Sequence, residues 1–202
     1  MMSIRDTLKI ILDITNALPV KIDLALTGGY AVILHGVERT TLDLDFCVYF
    51  DVKTVSDTTA FFSLFKKSLP GRYEVQSLEG SKIPDDPFKH DLIRIIDTQK
   101  EILRINLLIV RYKWELEGLR QSETKQDVPV PVLSKPYLVA MKLQASGYKD
   151  AHDIVGLLGL MTADEKIKTF ELAKRMGRDQ KLTRILTPPP EEAFHEIPGE
   201  YL

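Results

Sequence analysis

Apolar residues near the start of the chain recur at helical spacing. Ile4, Leu8, Ile11 and Leu12 fall at i, i+4, i+7 and i+8, Leu18 extends the stripe and Pro19 stops it, so an amphipathic helix is expected over 4–18, with Thr15 interrupting its apolar face. A short apolar run over 22–26 reads as a strand broken by Thr27-Gly28-Gly29, followed by a short helix over 30–35 closed by Gly36. The stretch LDLDFCVY, 42–49, begins by alternating acidic and apolar residues, the mark of a strand with two different faces. A second amphipathic helix follows over 55–69 and ends at Pro70-Gly71. Residues 73–78 read as a strand, 79–89 as a Gly- and Pro-containing loop, and 91–96 with 102–110 as an antiparallel hairpin. A short helix is expected over 112–120, and the prolines of VPVPV, 128–132, confine that run to an edge or extended segment. Ser134 suits an N-cap with Pro136 just inside a helix to about 146, and further helices are expected over 149–160 and 163–176 before Pro188-Pro189-Pro190 ends regular structure.

This order predicts an α/β (α+β) fold, a mixed sheet flanked by helices with a C-terminal helical bundle. The expected division is an α/β core over 1–132, a helical subdomain over 133–187 and an acidic tail over 188–202.

Charge refines the picture. The 27 Lys+Arg and 29 Asp+Glu give a net −2, which excludes a polyanion binder that works by bulk positive charge. With 44% hydrophobic residues the chain is no candidate for disorder. The distribution is uneven: 17 basic against 19 acidic residues over 1–132, 10 against 6 over 133–184, and none against four over 185–202. The basic excess in the second segment is either a solvated helical face or a contact surface for an acidic partner. A single cysteine, Cys47, permits no internal disulfide and fits a reducing cytoplasm. Charged residues at 5, 6, 9 and 13 argue against a signal peptide or membrane span at the N-terminus, and no membrane association is expected.

The residues with chemistry to offer cluster between 26 and 50. Gly28-Gly29, between a strand and a short helix, either makes a plain tight turn or leaves backbone N–H groups free for a phosphate. It is neither a dinucleotide fingerprint nor a P-loop, because the third glycine and the Gly-Lys-Ser/Thr step are missing. Asp43 and Asp45, at i and i+2 on a strand, point to one face, either as an acidic edge or as a pair whose repulsion a divalent cation relieves. Arg39 has two readings, a phosphate contact or an ion pair with Asp43 or Asp45. Cys47 reads as a buried small residue, and His90, His152 and His195 have no partners at metal-ligand spacing.

Taken together, GGYAVILHGVERTTLDLDF resembles the signature of the nucleotidyltransferase fold, the superfamily that includes polymerase β and the minimal nucleotidyltransferases. Its spelling is most similar to the branch of abortive-infection, toxin-type nucleotidyltransferases. A second block, KPYLVAMKLQASGYKDAHDIVGLL over 135–158, resembles that family's helical segment, and about the last forty residues are not covered. The resemblance implies transfer of an NMP group from an NTP to an RNA end, a protein hydroxyl or a small molecule. It implies that Gly28, Gly29, Arg39, Thr41 and Lys142 bind the nucleotide and that Asp43 and Asp45 are catalytic and hold Mg²⁺ or Mn²⁺. It also implies a toxin–antitoxin setting with a cognate partner protein, and a structural role for His35. One position departs from the pattern: Asn106 stands where the family places a third carboxylate, as a weak metal ligand that cannot act as a base. A nucleotide-binding or partner-binding protein of the same fold without catalysis is the alternative.

Overall fold

Ser3 opens the first helix, α1 (Ile4–Asn16), by accepting a hydrogen bond from Asp6 N–H at 3.2 Å. The buried face of α1 carries Leu8 and Ile11, and also Thr15, whose hydroxyl donates to the carbonyls of Ile11 and Leu12 at 3.0 Å, so the polar interruption is satisfied within the helix. The molecule is described here by a computed structural model covering residues 2–187 except 52, 54, 84, 85, 87, 146 and 148. The expected acidic tail, with His195 and the triple proline, lies outside the described residues.

The helix leads into β1 (Ile22–Thr27), then α2 (Gly28–Leu34), β2 (Asp43–Phe50), α3 (Thr58–Ser68), β3 (Tyr73–Leu78), β4 (Leu92–Asp97) and β5 (Arg104–Ile109). Five helices complete the described chain: α4 (Lys113–Arg120), α5 (Lys135–Ala145), α6 (Asp150–Gly159), α7 (Ala163–Arg175) and α8 (Asp179–Leu186). The strands form one sheet in the order β1-β2-β5-β4-β3. Only β2 and β5 run parallel; the other neighbours are antiparallel. The expected mixed sheet flanked by helices is what forms.

Strand alternation then fixes the two faces. On one, Leu26, Phe46, Leu107 and Ile93 lie side by side in register and are fully buried. On the other, Thr27, Asp45, Asn106, Arg94 and Gln76 form a polar row across all five strands. Two residues along, the same face turns apolar with Cys47, Leu108 and Leu92. Helix α5 closes over that face: Met141, Lys142 and Ala145 share a cavity of about 300 Å³ with the polar row. Its Tyr137, Leu138, Val139, Ala140 and Leu143 are buried, because α5 packs against α2, α6 and α7 at once.

The proline-rich run behaves as its composition predicts. It forms no strand of its own, but Leu26 N–H donates to Pro131 O at 2.8 Å and Leu133 N–H to Leu26 O at 3.0 Å, so it borders β1 through one isolated bridge, Leu26–Val132, while a second ties Val132 to Glu123. Two elements differ from expectation. Helix α2 starts at Gly28, so both glycines belong to its first turn, and α8 follows Gly177, whose φ of 64° separates it from α7.

Candidate active site

Backbone register brings the candidate residues together before any side chain is considered. Thr27 on β1 faces Asp45 on β2, Asp45 faces Asn106 on β5, and Asp43 faces Arg104. The side chains then lock into one network. Thr41 Oγ1 donates to Asp43 Oδ1 at 3.1 Å, and Arg104 donates to Asp43 Oδ2 at 2.8 Å. Asn106 Nδ2 donates to Asp45 Oδ1 at 2.8 Å and more weakly to Asp43 Oδ2 at 3.5 Å. Its amide oxygen is turned away from the carboxylates and accepts from Arg94 Nε at 3.1 Å. Asn106 therefore presents donors to the acidic pair, and its oxygen would reach a metal there only after the amide turned over.

Burial pushes the Asp45 carboxyl above the usual carboxylate range. The hydrogen bond from Asn106 opposes this, the charge of Asp43 adds to it, and Lys142 and Arg104 pull it down. Arg104 already offsets the charge of Asp43, and it is the desolvated Asp45 that calls for further positive charge in front of it. Beside Asp45, the buried Thr27 hydroxyl makes no hydrogen bond to any described residue although it lines the cavity. Among the described residues no group of three or more His, Cys, Asp or Glu is placed to hold a metal. The acidic pair fits an ion that takes only two protein carboxylates and fills its remaining positions with phosphate or water oxygens, as Mg²⁺ does.

Both glycines are needed for close approach. A Cβ at Gly28 would lie 2.0 Å from Asp45 Oδ2, and Gly28 has a φ of +63°. A Cβ at Gly29 would meet the Arg39 guanidinium at 2.8 Å and Thr41 Oγ1 at 2.9 Å. Arg39 does not pair with Asp43 or Asp45, the second of its two readings. It donates to Asp153 Oδ2 on α6, and Lys142 Nζ reaches the same carboxylate oxygen at 2.8 Å and Asp150 Oδ1 at 2.8 Å. Asp153, only 1% exposed, thus holds two of the expected nucleotide-binding cations. A second cavity of about 590 Å³, lined by Glu38, Arg39, Thr40, Lys149, His152 and Asp153, opens beside this junction.

Three contributors escape sequence reasoning: Arg94, Arg104 and the junction role of Asp153. Their signal is strand parity. Arg104-Ile-Asn106 repeats the spacing of Asp43-Leu-Asp45, but only the register of β2 on β5 says that the two triplets lie side by side.

His35 acts as a strut. Its Nε2–H donates to Leu133 O at 2.8 Å, tying the end of α2 to the segment before α5, and burial holds its pKa below the ordinary histidine value. Cys47 is buried, and burial pushes its thiol pKa far up, as for an inert core residue. His90 pairs with the buried Glu115 rather than with a metal ligand set.

No protein-family model and no curated protein matches the chain. Among solved structures, the antibiotic-resistance factor ANT(2'')-Ia is similar in its solution structure, with a TM-score of 0.48 and 12% identity over 89% of this chain and 97% of that one. Its crystal structure in complex with adenylyl-2''-tobramycin gives a TM-score of 0.48 and 13% identity over 85% and 99%. Terminal uridylyl transferase 4 from Trypanosoma brucei, with CTP bound, gives 0.38 and 13% identity over 85% of this chain and 53% of that one.

Proposed function

We propose that this chain is a nucleotidyltransferase that moves an NMP group from an NTP to a hydroxyl acceptor. The observation that supports it best is the meeting of the Gly28 turn with the Asp43–Asp45 pair, where any side chain at position 28 would fill the space against Asp45. In this reading backbone N–H groups of Gly28 and Gly29 cradle the β- and γ-phosphates, with Arg39, Thr41 and Lys142 around them. Asp43 and Asp45 are the catalytic carboxylates and hold Mg²⁺ or Mn²⁺. When bound, that cation would offset charge at the α-phosphate, and a second ion would bind the acceptor hydroxyl, so that two ions stabilise the entering and leaving oxygens. The acceptor oxygen forms a bond to the α-phosphorus as the bond to the bridging oxygen breaks and pyrophosphate leaves. Asn106 has no basic atom, so the acceptor proton passes to solvent water.

The proposal extends to organisation and setting. Residues 1–132 would form the α/β core, 133–187 a helical subdomain that brings Lys142 to the site, and 188–202 an acidic tail. No helix among the described residues is long and apolar enough to cross a membrane. The motif's resemblance to toxin-type nucleotidyltransferases supports a cytoplasmic toxin–antitoxin role with a cognate protein partner. RNA is one candidate acceptor and a protein hydroxyl another.

Incubation with each α-³²P-labelled NTP, Mg²⁺ or Mn²⁺, and cellular RNA and protein tests the reading. Label should move to one macromolecular fraction and disappear with Asp43→Ala/Asp45→Ala. The inward-facing donors of Asn106 favour a second reading, a nucleotide-binding protein without turnover. It predicts saturable NTP affinity with no pyrophosphate released.

A further inference from the structure

Arg94 has no counterion among the described residues. It stands half-buried on β4 beside Asn106 in register, lines the same cavity as Asp45, and donates through Nε to the Asn106 amide oxygen. Its two Nη groups make no hydrogen bond to any described residue, and no described carboxylate lies within ion-pair distance. By contrast Arg104, on the neighbouring strand, is neutralised by Asp43. On its other side Arg94 meets uncharged Gln76. A guanidinium pinned by Nε, with its remaining donors committed to no described residue at a cavity wall, is preorganised for a planar or tetrahedral oxyanion.

Its place in the row says which part of a reaction it would serve. Across the sheet the order is Thr27, Asp45, Asn106, Arg94, so Arg94 and the glycine turn lie on opposite sides of the carboxylate pair. In-line displacement at phosphorus puts the attacking oxygen opposite the leaving pyrophosphate. With the triphosphate on the glycine side, the acceptor enters from the β5–β4 side. Two strand spacings, about 10 Å, separate the β2 and β4 backbones. The Asn106 amide bridges that span from Arg94 Nε to Asp45 Oδ1, so a sugar unit would lie over the amide, in the cavity that the row lines. The apolar pair Leu92–Leu108, next along the same face, supplies a floor for it.

We infer that Arg94 marks the acceptor subsite and that the acceptor carries a phosphate group near its reacting hydroxyl, as a nucleotide end or a sugar phosphate does. This rests on the nucleotidyl-transfer reading and adds to it a residue and a substrate class. An amine-bearing acceptor would meet repulsion at this wall.

Calorimetry on the full chain saturated with Mg²⁺ and α,β-methylene-ATP tests it, with ribose 5-phosphate, the dinucleotide ApA and uncharged ribose as probes. Both phosphorylated probes should bind at least tenfold more tightly than ribose. Arg94→Gln should weaken both by about tenfold, the scale of one charge-assisted hydrogen bond, while leaving ribose and Mg²⁺–nucleotide affinity within twofold. Arg94→Lys, which keeps the charge, should fall between and guards against a folding defect in the first variant. Tighter binding of ApA would identify an RNA end, and tighter binding of ribose 5-phosphate a small phosphomonoester; either supports the inference. Phosphorylated probes bound no better than ribose would overturn it, as would an equal loss of nucleotide affinity in Arg94→Gln. Absence of Mg²⁺–nucleotide binding by the wild type would instead overturn the underlying reading.

Discussion

A methyl group at position 28 would press on Asp45 Oδ2 and hold a backbone conformation that L-residues resist. Gly28→Ala should therefore lower stability by about 1–2 kcal/mol in urea unfolding and, independently, abolish Mg²⁺–NTP binding in calorimetry. Nucleotide affinity unchanged in a folded variant would remove the glycine turn from the binding site. The acidic pair was legible because alternation in LDLDFCVY assigns both carboxylates to one strand face. Arg94 and Arg104 were not, because a strand's own pattern fixes its faces but does not name its neighbour, and β2 meets a strand far away in the chain.

At the scale of elements, the turn between β4 and β5 hangs on Asp97. Burial pushes its carboxyl up, yet Arg72 and the N–H groups of Gln99, Glu101 and Ile102 outweigh burial and hold it below the usual carboxylate range. The folded protein thus binds this proton less readily than the unfolded chain. The resulting stabilisation is complete above the unfolded value of about 4 and fades as pH falls through the folded value. Urea midpoints measured between pH 7 and pH 3 should drop for the wild type, and Asp97→Asn, less stable at pH 7, should show a flatter profile. A profile as steep in the variant would put the acid sensitivity elsewhere. The hairpin itself was readable from its β-rich runs, as were β3, α7 and the extended proline run. Helix α8 was missed because its eight residues follow a glycine break and begin with polar side chains. The early start of α2 was missed because two glycines read as a breaker until Asp45 and Arg39 crowd them from outside.

The whole molecule is tied together at Asp153. Its carboxylate joins Arg39, from the segment before β2, to Lys142 on α5, linking the sheet side of the cavity to the helices that close it. Removing that charge leaves two largely buried cations without their shared partner, and Asp153→Asn should cost about 3 kcal/mol in chemical denaturation. Asp150→Asn should cost less, since Lys142 keeps Asp153. Equal costs for the two would mean that the junction is not a shared one. The helical third was expected from sequence, but its ion-pair bookkeeping needs three-dimensional neighbours, as the 114-residue separation of Arg39 and Asp153 makes plain.

That separation, and the 61 residues between Asp43 and Arg104, also set a timetable. A chain is made from its N-terminus, and contacts distant in sequence form late. Asp43 and Asp45 leave the ribosome before β5 exists to pair with them, and before α5 and α6 exist to close the cavity. The nascent polypeptide therefore carries its two acids on an incomplete sheet, and the cavity in front of them closes only once α5 and α6 have been made.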